Sequence, residues 1–218
     1  MSIRLRPTHR VLALLTAALI VCGAPFSCAS KSGKKGPDRP ANWAEPIDDR
    51  PGLPNLHMVS DELYRGAQPR PEGYDSLHAM GIRTVVNLRA GHHEADRCQE
   101  SGLGYVEIPM RAWKFEEEDV VRFLQVAQQA DRQPIFVHCR RGADRAGMIV
   151  AVYRVVVQGW SKEDAIDEMK NGEYGFNSLW ANLVDYVREM NVEELRAAAA
   201  EAGSHGGLVD NNKDVGAR

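Results

Sequence analysis

Residues 134–157 read "PIFVHCRRGADRAGMIVAVYRVVV". An apolar run with a β-branched and aromatic bias is followed by a short charged stretch with glycine, then by a second apolar run. The first run is too short for a helix and suits a strand buried on both faces. The second is apolar on every side and can only be a buried helix. A buried strand joined to a buried helix by a handful of residues requires helices layered on a sheet.

The rest of the chain supplies the remaining layers. "LHMVSDELYRGAQP" reads as two short strands around an Asp61–Glu62 turn. "PEGYDSLHAMG" reads as a helix opened by Pro71 and stopped by Gly81. "RTVVNL" is a buried strand and "LGYVEI" an alternating one. "EEEDVVRFLQVAQQA" is an amphipathic helix with Val120, Val121, Leu124 and Ala127 on its apolar face. Ser161 and Asp164 have capping-box spacing, and "NSLWANLVDYVREM" is a last amphipathic helix. Strands alternating with helices predict a single α/β domain over residues 53–192, with a central, mainly parallel sheet flanked by helices. Residues 29–52 read as a flexible linker and residues 193–218 as a disordered tail.

The N-terminus reads as a targeting segment. Arg4, Arg6 and Arg10 precede "VLALLTAALIV", a run shorter than the ~20 residues that span a bilayer. Residues 1–28 are therefore expected to be a signal peptide, which places the mature protein in the periplasm or outside the cell. Ser27 and Ala29 fit a cleavage site; alternatively Cys28 is lipidated and tethers a membrane-anchored lipoprotein. Losing the three arginines leaves 24 basic residues of 27 against 30 acidic, so the net charge moves from −3 to −6. Such a chain is a poor partner for nucleic acid, and any anion site in it must be local. Of the four cysteines only Cys98 and Cys139 fall in the predicted domain. "GHHEADRC" gathers His92, His93, Asp96 and Cys98 without paired ligand spacing, so it reads as a solvated loop. No metal or cofactor is expected, and the domain is expected to be a monomer.

The charged stretch has a chemistry of its own. In open α/β sheets, ligands sit outside the carboxyl ends of the strands. "PIFVH" ends there at Cys139, and a helix starts a few residues later. The amides of Arg140, Arg141, Gly142, Ala143, Asp144 and Arg145, with the helix N-terminus, form an anion cradle. Gly142 lets the chain turn, and Arg145 can clamp the anion with a planar fork. Groups that hold an anion also stabilise a thiolate at Cys139. Nucleophile, cradle and clamp thus share one loop.

His138, Cys139, Gly142 and Arg145 spell HCxxGxxR, and with "LYRGAQP" and "GIRTVVNLR" upstream the chain resembles the protein tyrosine and dual-specificity phosphatase superfamily. The resemblance implies a cysteine phosphatase fold and a cofactor-free phosphomonoester hydrolase with Cys139 as phosphocysteine nucleophile. It implies Arg145 as phosphate ligand and His138 as support for the loop and thiol. Two departures stand out. Ala146 occupies the place of a Ser or Thr whose hydroxyl helps the thiolate leave. "PMRAWKF", where the family carries an Asp general acid, has no carboxylate. Asp144 is then the first candidate for acid or water-orienting group, as in myotubularin-like enzymes. Glu116, heading a run with Glu117, Glu118 and Asp119, is the alternative, though acids at a helix start also answer the macrodipole. Arg140 and Arg141 suit a substrate with more than one phosphate, or are simply exposed. Trp113, Tyr174 and Trp180 are candidate pocket walls or core. Expected substrates are a phosphoprotein, a phosphoinositide or an inositol phosphate. The competing readings are a phosphate-binding module with lost turnover and a rhodanese-type sulfurtransferase.

Overall fold

The structure, a computed structural model, describes residues 39–201. The proposed signal peptide with Cys28, the first part of the linker and the last part of the tail lie outside the described residues. In chain order the elements are β1 (Glu45–Pro46), β2 (His57–Met58), β3 (Leu63–Ala67), α1 (Pro71–Ala79), β4 (Thr84–Arg89), α2 (Ala95–Glu100), β5 (Gly104–Met110), α3 (Glu117–Ala127), β6 (Ile135–Cys139), α4 (Asp144–Val156), α5 (Lys162–Asn171), α6 (Ala181–Glu189) and α7 (Val192–Glu201).

One six-stranded sheet has the order β1-β2-β3-β6-β4-β5. β6 lies between β3 and β4, parallel to both, while β1 and β2 add an antiparallel edge. The chain runs from β4 outward to β5 and then returns past β4 to lay down β6, so the strand order switches beside β6. The carboxyl end at such a switch is where a crevice opens. Tyr74, Leu77 and Cys98 of α1 and α2 pack with Val85 and Phe136 in a small core on one face. The larger core gathers α3 to α7 over Val86, Leu88, Ile135 and Val137 on the other. α4 is buried along nearly its whole length, as its largely apolar sequence from Ala146 on required.

Both predicted boundaries need correction. The expected linker is part of the fold from its second half on: Ala44 is 1% exposed and β1 pairs with β2. The expected tail begins with α7, whose Leu195 and Ala199 are buried in the main core. Short apolar content hid both segments from periodicity. "GHHEADRC" is not a solvated loop either: its second half is α2, and both Glu94 and Cys98 are buried.

A buried ionic group ties these peripheral pieces to the centre. Arg154 donates to Glu168 through Nε at 2.8 Å and Nη2 at 2.9 Å. Glu168 also accepts the Ala44 amide at 2.6 Å and the Tyr174 hydroxyl at 3.0 Å. Arg39 closes the set by donating to the Ala44 and Gly172 carbonyls. A carboxylate with this many donors is satisfied despite its burial; the Arg154 contacts and the Ala44 amide hold its pKa below the usual value although burial itself pushes it up.

Candidate active site

The alternation of side chains along β6 sorts its last residues between the two layers. Cys139 joins the main core and is 2% exposed; it is a free thiol. His138 points the other way and stacks on Phe136 at 5.6 Å.

The loop after Cys139 is held from outside by its carbonyls. The Arg140 carbonyl accepts the Gln68 amide at 3.5 Å, and the Arg141 carbonyl accepts Asn55 Nδ2 at 2.9 Å. Arg65 Nη2 donates to the Gly142 carbonyl at 2.7 Å and the Ala143 carbonyl at 3.3 Å. With four successive carbonyls turned outward, the amides turn toward the interior of the loop, the arrangement of an anion nest. Gly142 has φ +72, and a Cβ there would come within 2.4 Å of the Gly66 carbonyl carbon. Only glycine fits, because both the left-handed backbone and the closeness to β3 exclude a side chain.

Arg65 is buried under this loop, its guanidinium 3.7 Å from the Tyr174 ring centroid. Tyr174, a candidate pocket wall on sequence, is 3% exposed and supports Arg65 instead. Neither role was legible beforehand. The one available signal was an arginine within the otherwise strand-like "LYRGA", since a buried charge is the informative kind of exception.

The predicted site residues come together. Arg145 Nη1 donates to the Leu88 and Met110 carbonyls, both at 3.0 Å, so its fork is fixed across the carboxyl ends of β4 and β5. Asp144 opens α4; its Oδ1 accepts the Asn177 amide at 2.8 Å and its Oδ2 accepts Arg141 Nη2 at 3.2 Å. Ala146 is fully buried beneath the loop. Glu116 sits apart, at the head of α3, with a 65% exposed side chain near Lys114 Nζ at 3.8 Å. Trp113 and Trp180 stack at 6.1 Å, with Trp113 66% exposed.

Behind Cys139 lies a cluster that sequence reasoning missed. Glu94, expected on a solvated loop, is buried, and its Oε1 lies 3.5 Å from His138 Nε2. Its Oε2 accepts the Tyr74 hydroxyl and Gln68 Nε2, and Gln68 Oε1 accepts Arg89 Nη1 at 2.9 Å. Burial pushes the Glu94 carboxyl up in pKa, against the pull of Tyr74 and Gln68. Burial drives His138 down to about 3, so the ring is neutral in the folded protein. An unfolded chain would take up that proton near pH 6.5. The His138 contribution to stability is thus complete above that value and is lost as pH falls toward the folded one. At about pH 5 the loss from this group alone is expected to be about 2 kcal/mol. Urea unfolding of wild type and His138→Gln at a series of pH values checks it: the variant should show a flatter dependence, and equal slopes would mean that His138 titrates normally. His57, which burial lowers to about 4, acts in the same direction in both proteins.

A model of DSP-PTPase phosphatases fused to NAD+ kinase matches residues 42–184. The chain belongs to the tyrosine and dual-specificity phosphatase family. The phosphatase is 33% identical over 193 residues to the dual specificity protein phosphatase TpbA of Pseudomonas aeruginosa, covering 87% of this chain and 85% of that protein. A solved structure of a cysteine-to-serine form of TpbA in complex with phosphotyrosine aligns with TM-score 0.66 and 31% identity, over 74% of this chain and 98% of that one. The inositol diphosphatase DSP5 of Arabidopsis thaliana is 26% identical over 128 residues, 53% of this phosphatase and 60% of DSP5. Match and geometry agree on an enzyme that hydrolyses phosphorylated substrates.

Proposed function

We propose that the phosphatase works through a phosphocysteine on Cys139. What carries this reading is the set of four loop carbonyls fixed outward, which aims the amides at a phosphoryl group above the sulfur. The thiolate attacks phosphorus, the ester P–O bond breaks, and the leaving oxygen takes a proton from solvent water. Water then attacks the phosphocysteine, and sulfur departs as thiolate. Arg145, pinned to β4 and β5, meets the equatorial oxygens with its remaining N–H groups. His138 is neutral and holds the strand end rather than moving protons. Asp144 already accepts hydrogen bonds on both oxygens, so its role is to orient water and anchor Arg141. The exposure of Glu116 argues against an acid role for it. Phosphotyrosine in the TpbA complex and the inositol diphosphatase relative support phosphoprotein and inositol phosphate as the substrate classes to test. Export through residues 1–28, with Cys28 as an optional lipid anchor, and a monomeric state complete the proposal.

Ala146 makes the second step the slow one. Rapid mixing with an aryl phosphate is expected to give a burst of phenol, then a slower steady rate. Ala146→Ser is expected to raise the steady rate and leave the burst rate nearly unchanged. Mass spectrometry of acid-quenched protein should find phosphate on the peptide bearing Cys139. Steady release with no burst and no phosphopeptide would overturn the slow second step assigned to Ala146. A burst with no steady release at all would instead favour a binding module that has lost turnover.

A further inference from the structure

Two of the three large apolar side chains that the described residues expose, Trp113 at 66% and Leu179 at 81%, lie on loops bonded directly to the cradle. Trp113 follows Met110, whose carbonyl holds Arg145, and its own turn is closed by reciprocal Arg111–Lys114 backbone bonds. Leu179 follows Asn177, whose amide holds Asp144, and the next residue, Trp180, stacks on Trp113. Asn182 Nδ2, in the first turn of α6 just after Trp180, donates to the Ala112 carbonyl at 2.7 Å and fastens the Trp113 loop to that end of α6. The Arg111 guanidinium stands 5.9 Å from the Trp113 ring. The indole thus has Trp180 and Arg111 as neighbours, yet most of it meets solvent.

Resting on the phosphatase reading, we infer that Trp113, Trp180 and Leu179 form a subsite for apolar side chains flanking the phosphorylated residue of a polypeptide substrate. Both loops bond to cradle residues, the Trp113 loop through Met110 to Arg145 and the Leu179 loop through Asn177 to Asp144, so polypeptide flanking a held phosphoryl group is within reach of them. An inositol phosphate carries no apolar part that could cover it. Toward an anionic membrane surface, Arg111 and Lys114 of the Trp113 turn are offset by Glu116, Glu117 and Glu118, so charge gives a membrane no advantage here. An extended peptide meets neither objection, and exposed tryptophan is the side chain best suited to such a contact.

The test uses two phosphotyrosyl peptides that differ only in leucine or glycine at both flanking positions. Wild type is expected to favour the leucine peptide by about tenfold in kcat/KM, carried by KM, the scale of burying one aliphatic side chain. Trp113→Ala and Leu179→Ser are each expected to bring the ratio below threefold; Leu179 is so exposed that its loss cannot unfold the protein. Equilibrium binding of the same peptides to the Cys139→Ser variant reads the same ratio without chemistry. A binding ratio near tenfold with no turnover in wild type would leave the subsite standing and overturn the catalytic reading. A wild-type ratio near one, or a ratio unchanged in both variants, overturns the subsite. Faster hydrolysis of inositol polyphosphates than of either peptide, or Trp113-dependent binding to phosphatidylglycerol vesicles, does so as well, by naming a different occupant.

Discussion

Cys139→Ser is expected to release phosphate at least about ten-thousandfold more slowly than wild type, since removal of a covalent nucleophile leaves only the binding contribution. It is expected to bind tungstate or phosphate about as well as wild type. The oxyanion is held by loop amides and by Arg145. Those are fixed by Asn55, Arg65, Gln68 and the ends of β4 and β5, none of which the substitution removes. Serine is smaller than cysteine, so the buried position accepts it without overpacking. Malachite-green phosphate release and quenching of tryptophan fluorescence by the oxyanion read the two halves. Turnover near wild type would remove the whole mechanism; loss of binding along with turnover would mean that the sulfur itself shapes the cradle.

Arg145→Lys is expected to cost about 2–4 kcal/mol of transition-state stabilisation, read as a thirty- to thousandfold fall in kcat/KM. The structure sharpens the reason. One guanidinium nitrogen is committed to the Leu88 and Met110 carbonyls, which leaves the rest of the planar fork for phosphoryl oxygens. An ammonium can serve the carbonyls or the phosphate but cannot span both in a fixed plane. A fall of less than tenfold would mean that Arg145 is a structural tie between strands and not a clamp.

What the sequence disclosed and what it concealed differ in kind. Cys139, Gly142 and Arg145 were legible because their spacing is local: strand end, turn and helix start follow one another within seven residues. The parallel sheet followed from the alternation of apolar runs. Arg65, Asn55 and Gln68 were hidden because they reach the loop through tertiary contacts, and no periodicity links an arginine on β3 to a carbonyl after β6. Glu94 was hidden by its neighbours, since "GHHEADRC" is mostly polar and only the fold buries its one glutamate and its cysteine. The boundaries at Ala44 and Leu195 failed for a related reason. Each segment contributes one or two buried side chains, too few to make a pattern.

The way the loop carbonyls are fastened bears on how portable this chemistry is. The ten residues from His138 to Gly147 hold the nucleophile, the cradle and the clamp, which invites treating them as a cassette to graft onto another strand–helix junction. Their conformation, however, is imposed by partners 77 and 86 positions earlier in the chain, at Arg65 and Asn55. Gly142 also rests directly on the backbone of Gly66. Moved without that neighbouring strand, the segment would keep every reactive group and lose the shape that makes them act together. The transferable unit is the pair of adjacent strands, with the buried arginine between loop and core.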